Sequence, residues 1–346
     1  MPTLPDGRAP EGLSSALLAA GCALLLALAG TPLAIAAARK TGFLDAPGGD
    51  LKKHDAATPY LGGMAVFVPF LTAAALVFQL DQRWLGVLLA ATLAALLGLM
   101  DDFGAMRPGV KLAGQAIIVL VLLKADVRIA LDVLPTWMSL VLTALWMLAV
   151  MNAVNFLDIM DGVAATVGLV ASAFFLAIAI LTHQLAMAGI SAALLGALAG
   201  YLRYSVPKAR IFLGDCGSLF LGTTLGALAL ALDYSQVSPW AVFSPLLVLA
   251  IPLFEIAFTV GVRVVRGRPP WRGSPDHVVL RLRRLGHPVG RILAILALSG
   301  LASGALGVLL LRASAGLAQA VIGGSVVAAL VAAGYLLRAK EAPTKV

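Results

Sequence analysis

Charge is scarce in this chain. Only 12% of its 346 residues are Asp, Glu, Lys or Arg, about half of the quarter that soluble domains carry. The longest polar segment runs to about 27 residues, too few to build a separate soluble domain. Cysteine is nearly absent. Cys22 falls inside an apolar run and Cys216 in a polar connection, so no disulfide framework is implied. The apolar runs show no internal repeat, which disfavours many secondary-transporter folds. The first run also lacks a basic leader, since only Arg8 precedes it and Asp6 and Glu11 offset that charge. It continues past Cys22 through LAIAAA, longer than a cleaved signal, and is read as a span.

Apolar residues fill the space that charge leaves. They make up 61% of the chain, in runs near or above the ~18 residues that cross a bilayer as a helix. The expected fold is all-α, a polytopic integral membrane protein with about eleven transmembrane helices. The segments lie near 13–38, 60–80, 84–100, 112–124, 136–154, 162–182, 184–202, 217–233, 239–262, 290–311 and 315–337. One membrane domain covers 1–346. Of the 25 lysines and arginines, 20 fall in one alternate set of loops and 5 in the other. The positive-inside rule then puts the N-terminus outside and the C-terminus in the cytoplasm. The net charge of +8 is this bias together with any anion site, and no nucleic-acid partner is implied.

The acids gather on the same side. Cytoplasmic loops near 39–59, 101–111, 152–161, 203–216 and 263–290 hold them. A carboxylate inside a span costs roughly 2.5–3.5 kcal/mol on the insertion scale. A lone Asp at a helix end is more often solvated, but three clusters on one face are not so easily dismissed. GLMDDFGAMRPGVKLAGQ pairs Asp101 with Asp102 and adds Lys111. NAVNFLDIMDG spaces Asn152, Asn155, Asp158 and Asp161 three apart, the spacing of one helix side. RIFLGDCGSLFLG sets Asp215 between glycines before an apolar helix, where backbone N–H groups approach anions. Carboxylate oxygens completed by water and phosphate describe a Mg²⁺ site. A fourth, Arg-rich segment, RVVRGRPPWRGSPDHVVLRLRRLGHPVGR, carries Arg268, Asp276, His277 and Arg281. Acids for metal and bases for phosphate fit a phosphate-bearing nucleotide substrate.

These segments resemble, in order, the motifs of the polyprenyl-phosphate N-acetylhexosamine-1-phosphate transferases. KKHDAATPYLGG, LMDDFGAMRPGVKLAGQ, NAVNFLDIMDGVAA, FLGDCGSLFLG, and IPLFE with DHVVLRLRRLG carry the resemblance over about residues 39–290. It implies Asp215 as the metal ligand, with Mg²⁺ or Mn²⁺ as cofactor. It implies Asp101 and Asp102 beside metal and phosphates, and Lys111 as a phosphate partner. Asp158 would face the uracil with Asn155 and Asp161 as neighbours, and Phe212 would lie against the ring. His277 matches the histidine of the last loop. Lys53, His54, Asn152, Arg268 and Arg281 fall in the same segments as substrate-binding candidates. The implied partners are a UDP-sugar, a polyprenyl phosphate and the bacterial cytoplasmic membrane; the sequence leaves a homodimer open.

Four positions depart from the family pattern. Ile159 stands where Gly is usual, Glu255 where Asp is usual, and Val279 and Leu280 where further histidines often follow. The last departure argues against the phospho-N-acetylmuramoyl-pentapeptide branch, the nearest alternative. An ion-coupled transporter would place its acids near mid-bilayer in broken helices, and here they cluster at loops. An intramembrane prenyltransferase would need a second Asp-rich motif, and DDFGAMRP is a poor one.

Overall fold

The structure is a computed structural model, and it describes residues 11–45, 58–77, 82–104, 106–131, 133–234, 238–269 and 274–339. The chain opens with α1 (Glu11–Thr41) and a short antiparallel ladder of β1 (Leu44–Asp45) and β2 (Thr58–Pro59). Then come α2 (Gly62–Val77), α3 (Gln82–Phe103), α4 (Pro108–Lys124), α5 (Thr136–Leu157), α6 (Val163–Leu181), α7 (Leu185–Ser205) and α8 (Gly214–Ala231). A 3-10 turn, Pro239–Phe243, leads into α9 (Ser244–Val248) and α10 (Ala250–Val265). The chain ends with α11 (Val278–Arg284), α12 (Val289–Leu310) and α13 (Ala315–Leu337). In lipid every backbone N–H and C=O must be satisfied within the chain, and helices do this segment by segment.

Each of the eleven expected apolar segments coincides with helix. Among the described residues, eight helices are long and apolar enough to cross a membrane, or nine if the bent pair 239–248 and 250–265 is one span. At 16 and 17 residues, α2 and α4 are shorter. The protein is all-α and multi-pass. The expected ninth span bends by 69°. Pro252 has no N–H to continue the ladder across Leu249, which accounts for the break.

Small residues set the packing. Membrane helices associate through close contact rather than water exclusion. The α1 face of Ala16, Ala19, Ala23 and Ala27 is fully buried, and Gly196 and Gly200 of α7 lie against its backbone. Pro32 inside α1 leaves the Leu28 carbonyl without its usual donor. The Tyr204 hydroxyl of α7 donates to that oxygen at 2.9 Å. Helix α8 runs through the middle, buried on nearly every side. Gly98 of α3 meets the Asp215 backbone so closely that a Cβ there would overlap it. The outer surface is apolar and exposed, as at Leu25, Leu33, Leu330 and Val331, as expected for a surface that faces acyl chains.

Candidate active site

The ends of α3, α4, α5, α7 and α8 meet at one end of the bundle. The polar residues cluster there. Asp101 and Asp102 close α3, Lys111 sits in the first turn of α4, and Asn155 in the last turn of α5. Asp158 and Asp161 follow in a turn, and Asp215 opens α8.

Lys111 bridges two of the acids. Its Nζ lies 2.9 Å from Asp101 Oδ2 and 2.6 Å from Asp215 Oδ2. Asn155 Nδ2 donates to the other Asp215 oxygen at 2.6 Å and to Ser218 Oγ at 2.9 Å. Asp101 Oδ1 accepts from the Met106 N–H at 2.7 Å. Asp102 has a different setting. Its two oxygens accept from the N–H groups of Asp215 and Cys216 at 2.8 and 2.9 Å. A carboxylate there satisfies the orphan amides and opposes the positive end of the helix dipole.

Gly214 lets the chain turn into α8 at φ +71°. A Cβ there would also press on the Asp102 carboxylate, so a side chain is excluded both by backbone conformation and by space. The Gly214 N–H donates to Asp158. Burial, with Asp215 and Asp102 nearby, nevertheless raises the Asp158 carboxyl well above the usual carboxylate range. Asp161 Oδ2 accepts from the Ala209 N–H at 3.0 Å, tying its turn to the loop after α7. Phe212 is fixed through its backbone. Its N–H donates to Pro59 O at 2.9 Å, and its carbonyl accepts from the Gly62 N–H at 2.9 Å. Tyr60 meets the Phe212 ring edge-on at 6.1 Å.

The expected Asn–Asp–Asp stripe along one helix side is not what forms. Helix α5 ends at Leu157, and Asp158 is its C-cap, bonded through its N–H to Asn155 O at 3.2 Å. Asn152, a turn earlier, exchanges amide hydrogen bonds with Gln115 at 3.0 and 3.4 Å. It joins α4 to α5 and lies behind the acids.

His277 sits in a second, connected cluster. Its Nδ1 donates to Glu255 Oε1 at 2.7 Å. Its Nε2 faces the Arg263 guanidinium at 3.5 Å. Phe156, adjacent to Asn155, contacts the His277 ring edge-on at 5.3 Å and lies under Arg263 at 5.0 Å. Phe156, next to Asn155 in the chain, therefore links the histidine to the acidic cluster, while Glu255 and Arg263 hold the ring through its nitrogens. The unusual Glu255 was the sequence's signal for part of this; Phe156 and Arg263 gave none.

Arg281 is buried and committed elsewhere. Its Nη2 meets Asp276 Oδ1 at 2.8 Å and its Nη1 donates to Leu336 O at 3.3 Å. Arg268 reaches Asp276 Oδ2 only at 3.6 Å and keeps about a third of its side chain exposed. Asp276 also takes Arg266 at 2.6 Å. Burial would raise the Asp276 carboxyl, but Arg266, Arg281 and Ser274 together bring it below the usual range. Lys53 and His54 lie outside the described residues.

The family model described as glycosyl transferase family 4 matches residues 84–233. A Streptomyces coelicolor protein named "Putative glycosyltransferase SCO3672" is 32% identical over 309 residues, covering 86% of this chain and 71% of that protein. The chain belongs to glycosyl transferase family 4. The family 4 match runs from α3 through α8 and holds Asp101, Asp102, Lys111, Asn155, Asp158, Asp161 and Asp215. The His277 cluster lies beyond it. A Bacillus subtilis relative named "Probable undecaprenyl-phosphate N-acetylglucosaminyl 1-phosphate transferase" is 27% identical over 272 residues, 76% of each chain. A Thermoanaerobacter phospho-N-acetylmuramoyl-pentapeptide-transferase is 29% identical over 301 residues, 77% of this chain and 89% of that one.

Proposed function

We propose that this membrane transferase moves an N-acetylhexosamine 1-phosphate from a UDP-sugar to a polyprenyl phosphate such as undecaprenyl phosphate, and releases UMP. The observation that carries the reading is the convergence of Asp101, Lys111, Asn155 and Asp215, from four helices, at one end of an apolar bundle. A lipid acceptor is supplied from the bilayer and a nucleotide from water, and this end of the bundle faces both. This reading takes that end as cytoplasmic, which the Lys and Arg asymmetry supports, with the N-terminus outside and eleven spans in a bacterial inner membrane.

In the reaction a lipid phosphate oxygen attacks the sugar-bearing phosphorus. The bond to the UMP oxygen breaks, and UMP leaves with the bonding pair. The lipid phosphate is already anionic near neutral pH, so the step needs no general base. Lys111 offsets the negative charge of the two phosphates, and Asn155 orients Asp215 toward them. Asp158, Asp161 and Phe212 border the uridine, and His277 and Arg268 the sugar. Asp102 holds the first turn of α8, and with it Asp215, in register.

The residues fit a divalent metal. Asp101, Asp158 and Asp215 offer hard oxygen donors, and the Lys111 ammonium already sits between two of them. Among the described residues no three ligating side chains form a ready-made cage. Asp215 with one neighbour would therefore hold Mg²⁺ or Mn²⁺, with diphosphate and water completing the shell. Bound there, the ion would neutralise the diphosphate and polarise the phosphorus under attack.

Val279 is apolar and fully buried, so it offers no donor at a position where the family pattern often has a histidine. That supports an N-acetylglucosamine-type sugar, or a deoxy relative, over the muramoyl-pentapeptide. It would make this the first membrane step of a cell-envelope polysaccharide. The test is UMP release from a panel of UDP-sugars with undecaprenyl phosphate and Mg²⁺. Faster turnover of UDP-muramoyl-pentapeptide than of any UDP-N-acetylhexosamine would refute the sugar assignment, and no UMP from any donor would refute the reaction.

A further inference from the structure

A second concavity lies at the same end of the bundle. It has a volume of about 480 Å³ and opens between the ends of α1 and α7. Arg39 enters it from the last turns of α1, Arg203 from the last turn of α7, and Lys208 and Arg210 from the loop that follows. Thr58 and Tyr204 are also in the wall, and among the described residues no acidic side chain lines it. All four cations are exposed, and none forms an ion pair among the described residues.

The positive-inside bias explains the sign of these residues and the side they occupy. It does not explain why four of them surround one hollow with no carboxylate lining it among the described residues. Two other groups of cations among the described residues are each offset by an acid. Asp276 serves Arg266 and Arg281, and Asp126 serves Arg83 and Arg128. Uncompensated like charges repel, and an anion that enters relieves all four at once.

The pocket is also preformed. The Arg210 N–H is held by Tyr204 O at 3.0 Å and the Ala209 N–H by Asp161 at 3.0 Å. Phe212 is pinned to Pro59. The loop bearing Lys208 and Arg210 is therefore fixed before any ligand arrives.

We propose that this pocket binds a phosphate group, of the kind that an anionic phospholipid headgroup presents. Basic pockets between membrane helices on the cytoplasmic side take such headgroups. The outer surface of α1 is apolar and exposed at Leu25 and Leu33, which gives acyl chains a wall to lie on. The pocket abuts the acidic site through the Asp161–Ala209 hydrogen bond, but its four cations are not residues placed in the transfer reaction.

The full-length protein in neutral detergent is titrated with cardiolipin, phosphatidylcholine or inorganic phosphate while its Tm is read. Cardiolipin should raise the Tm saturably, and phosphatidylcholine should not. Lys208→Gln with Arg210→Gln removes two cations worth about fivefold each near a charged surface, so half the shift should need about 30-fold more cardiolipin. A saturable shift from inorganic phosphate, lost in the same variant, would support the pocket and make its ligand water-soluble. A double variant that keeps the full cardiolipin response would overturn the proposal, as would a wild type that responds to neither probe. Should the double variant not fold, a photoactivatable phosphatidylglycerol is crosslinked to the wild type. Crosslinks at the end of α1 or in 203–210 support the site, and crosslinks found only elsewhere overturn it.

Discussion

Asp102 and Asp215 sit 113 residues apart in sequence and resemble one another closely on paper, yet their surroundings assign them different work. Asp102 spends both oxygens on the amides that open α8. Asp215 turns its carboxylate to Lys111 and Asn155, groups that can give way to a substrate or a cation. Replacement by Asn should separate these roles. Asp215→Asn keeps the size and still bonds its neighbours, so the Tm should move little. Turnover should fall by about 10²–10³, as for a lost electrostatic group. A purified Asp215→Asn protein with full UMP release would remove Asp215 from the site. The candidate acids were legible because charge beside an apolar run is costly and stands out. Their partners were not, because hydrogen bonds between residues a hundred positions apart leave no local pattern.

The same contrast holds for whole elements. Apolar length marked each of the eleven segments as helix, but the exact end of α5 and the break at Leu249 depend on tertiary packing and on one missing proline N–H. The segment from α10 to α11 is where contacts decide most. His277 is placed by Glu255, Arg263 and Phe156, and the loop carrying it is anchored by Asp276 on Arg266 and Arg281. His277→Ala should lower kcat/KM by about 10²-fold. A helix-capping histidine would instead lower the Tm and leave the rate alone, so both are measured. Asp276 tests the anchor. Its carboxyl lies below its ordinary value, so its contribution is complete above an unfolded pKa of about 4 and is lost as pH falls through the folded value. Asp276→Asn leaves buried guanidinium groups short of an anion, at a cost of about 3 kcal/mol near neutral pH. The Tm gap between wild type and variant should therefore be widest near pH 7 and close below about pH 4. A gap that widens on acidification would contradict the anchoring role.

At the scale of the molecule, the reaction requires the acidic end of the bundle to face the nucleotide pool. The structure brings the ends of α1, α3, α5 and α7 together with the starts of α4 and α8 through Phe43–Phe103, Asp102–Asp215 and Asp161–Ala209 contacts. The opposite end holds Arg83 with Asp126, and Gln184 with Asp233. The two ends therefore differ in chemistry: phosphate-binding candidates at one, a few exposed or self-satisfied polar groups at the other. Lysine and arginine abundance supports the proposed direction, since by sequence 20 of the 25 fall in the loop set expected on the cytoplasmic side. Single cysteines make this testable once Cys22 and Cys216 are replaced. Gly104→Cys at the acidic end and Val133→Cys at the other occupy exposed positions. In intact cells an impermeant maleimide should label Val133→Cys and spare Gly104→Cys, and a permeant one should label both. Labelling of Gly104→Cys by the impermeant reagent would turn the molecule over. Its acids would then face a compartment without UDP-sugars, and the proposed transfer would lose its donor.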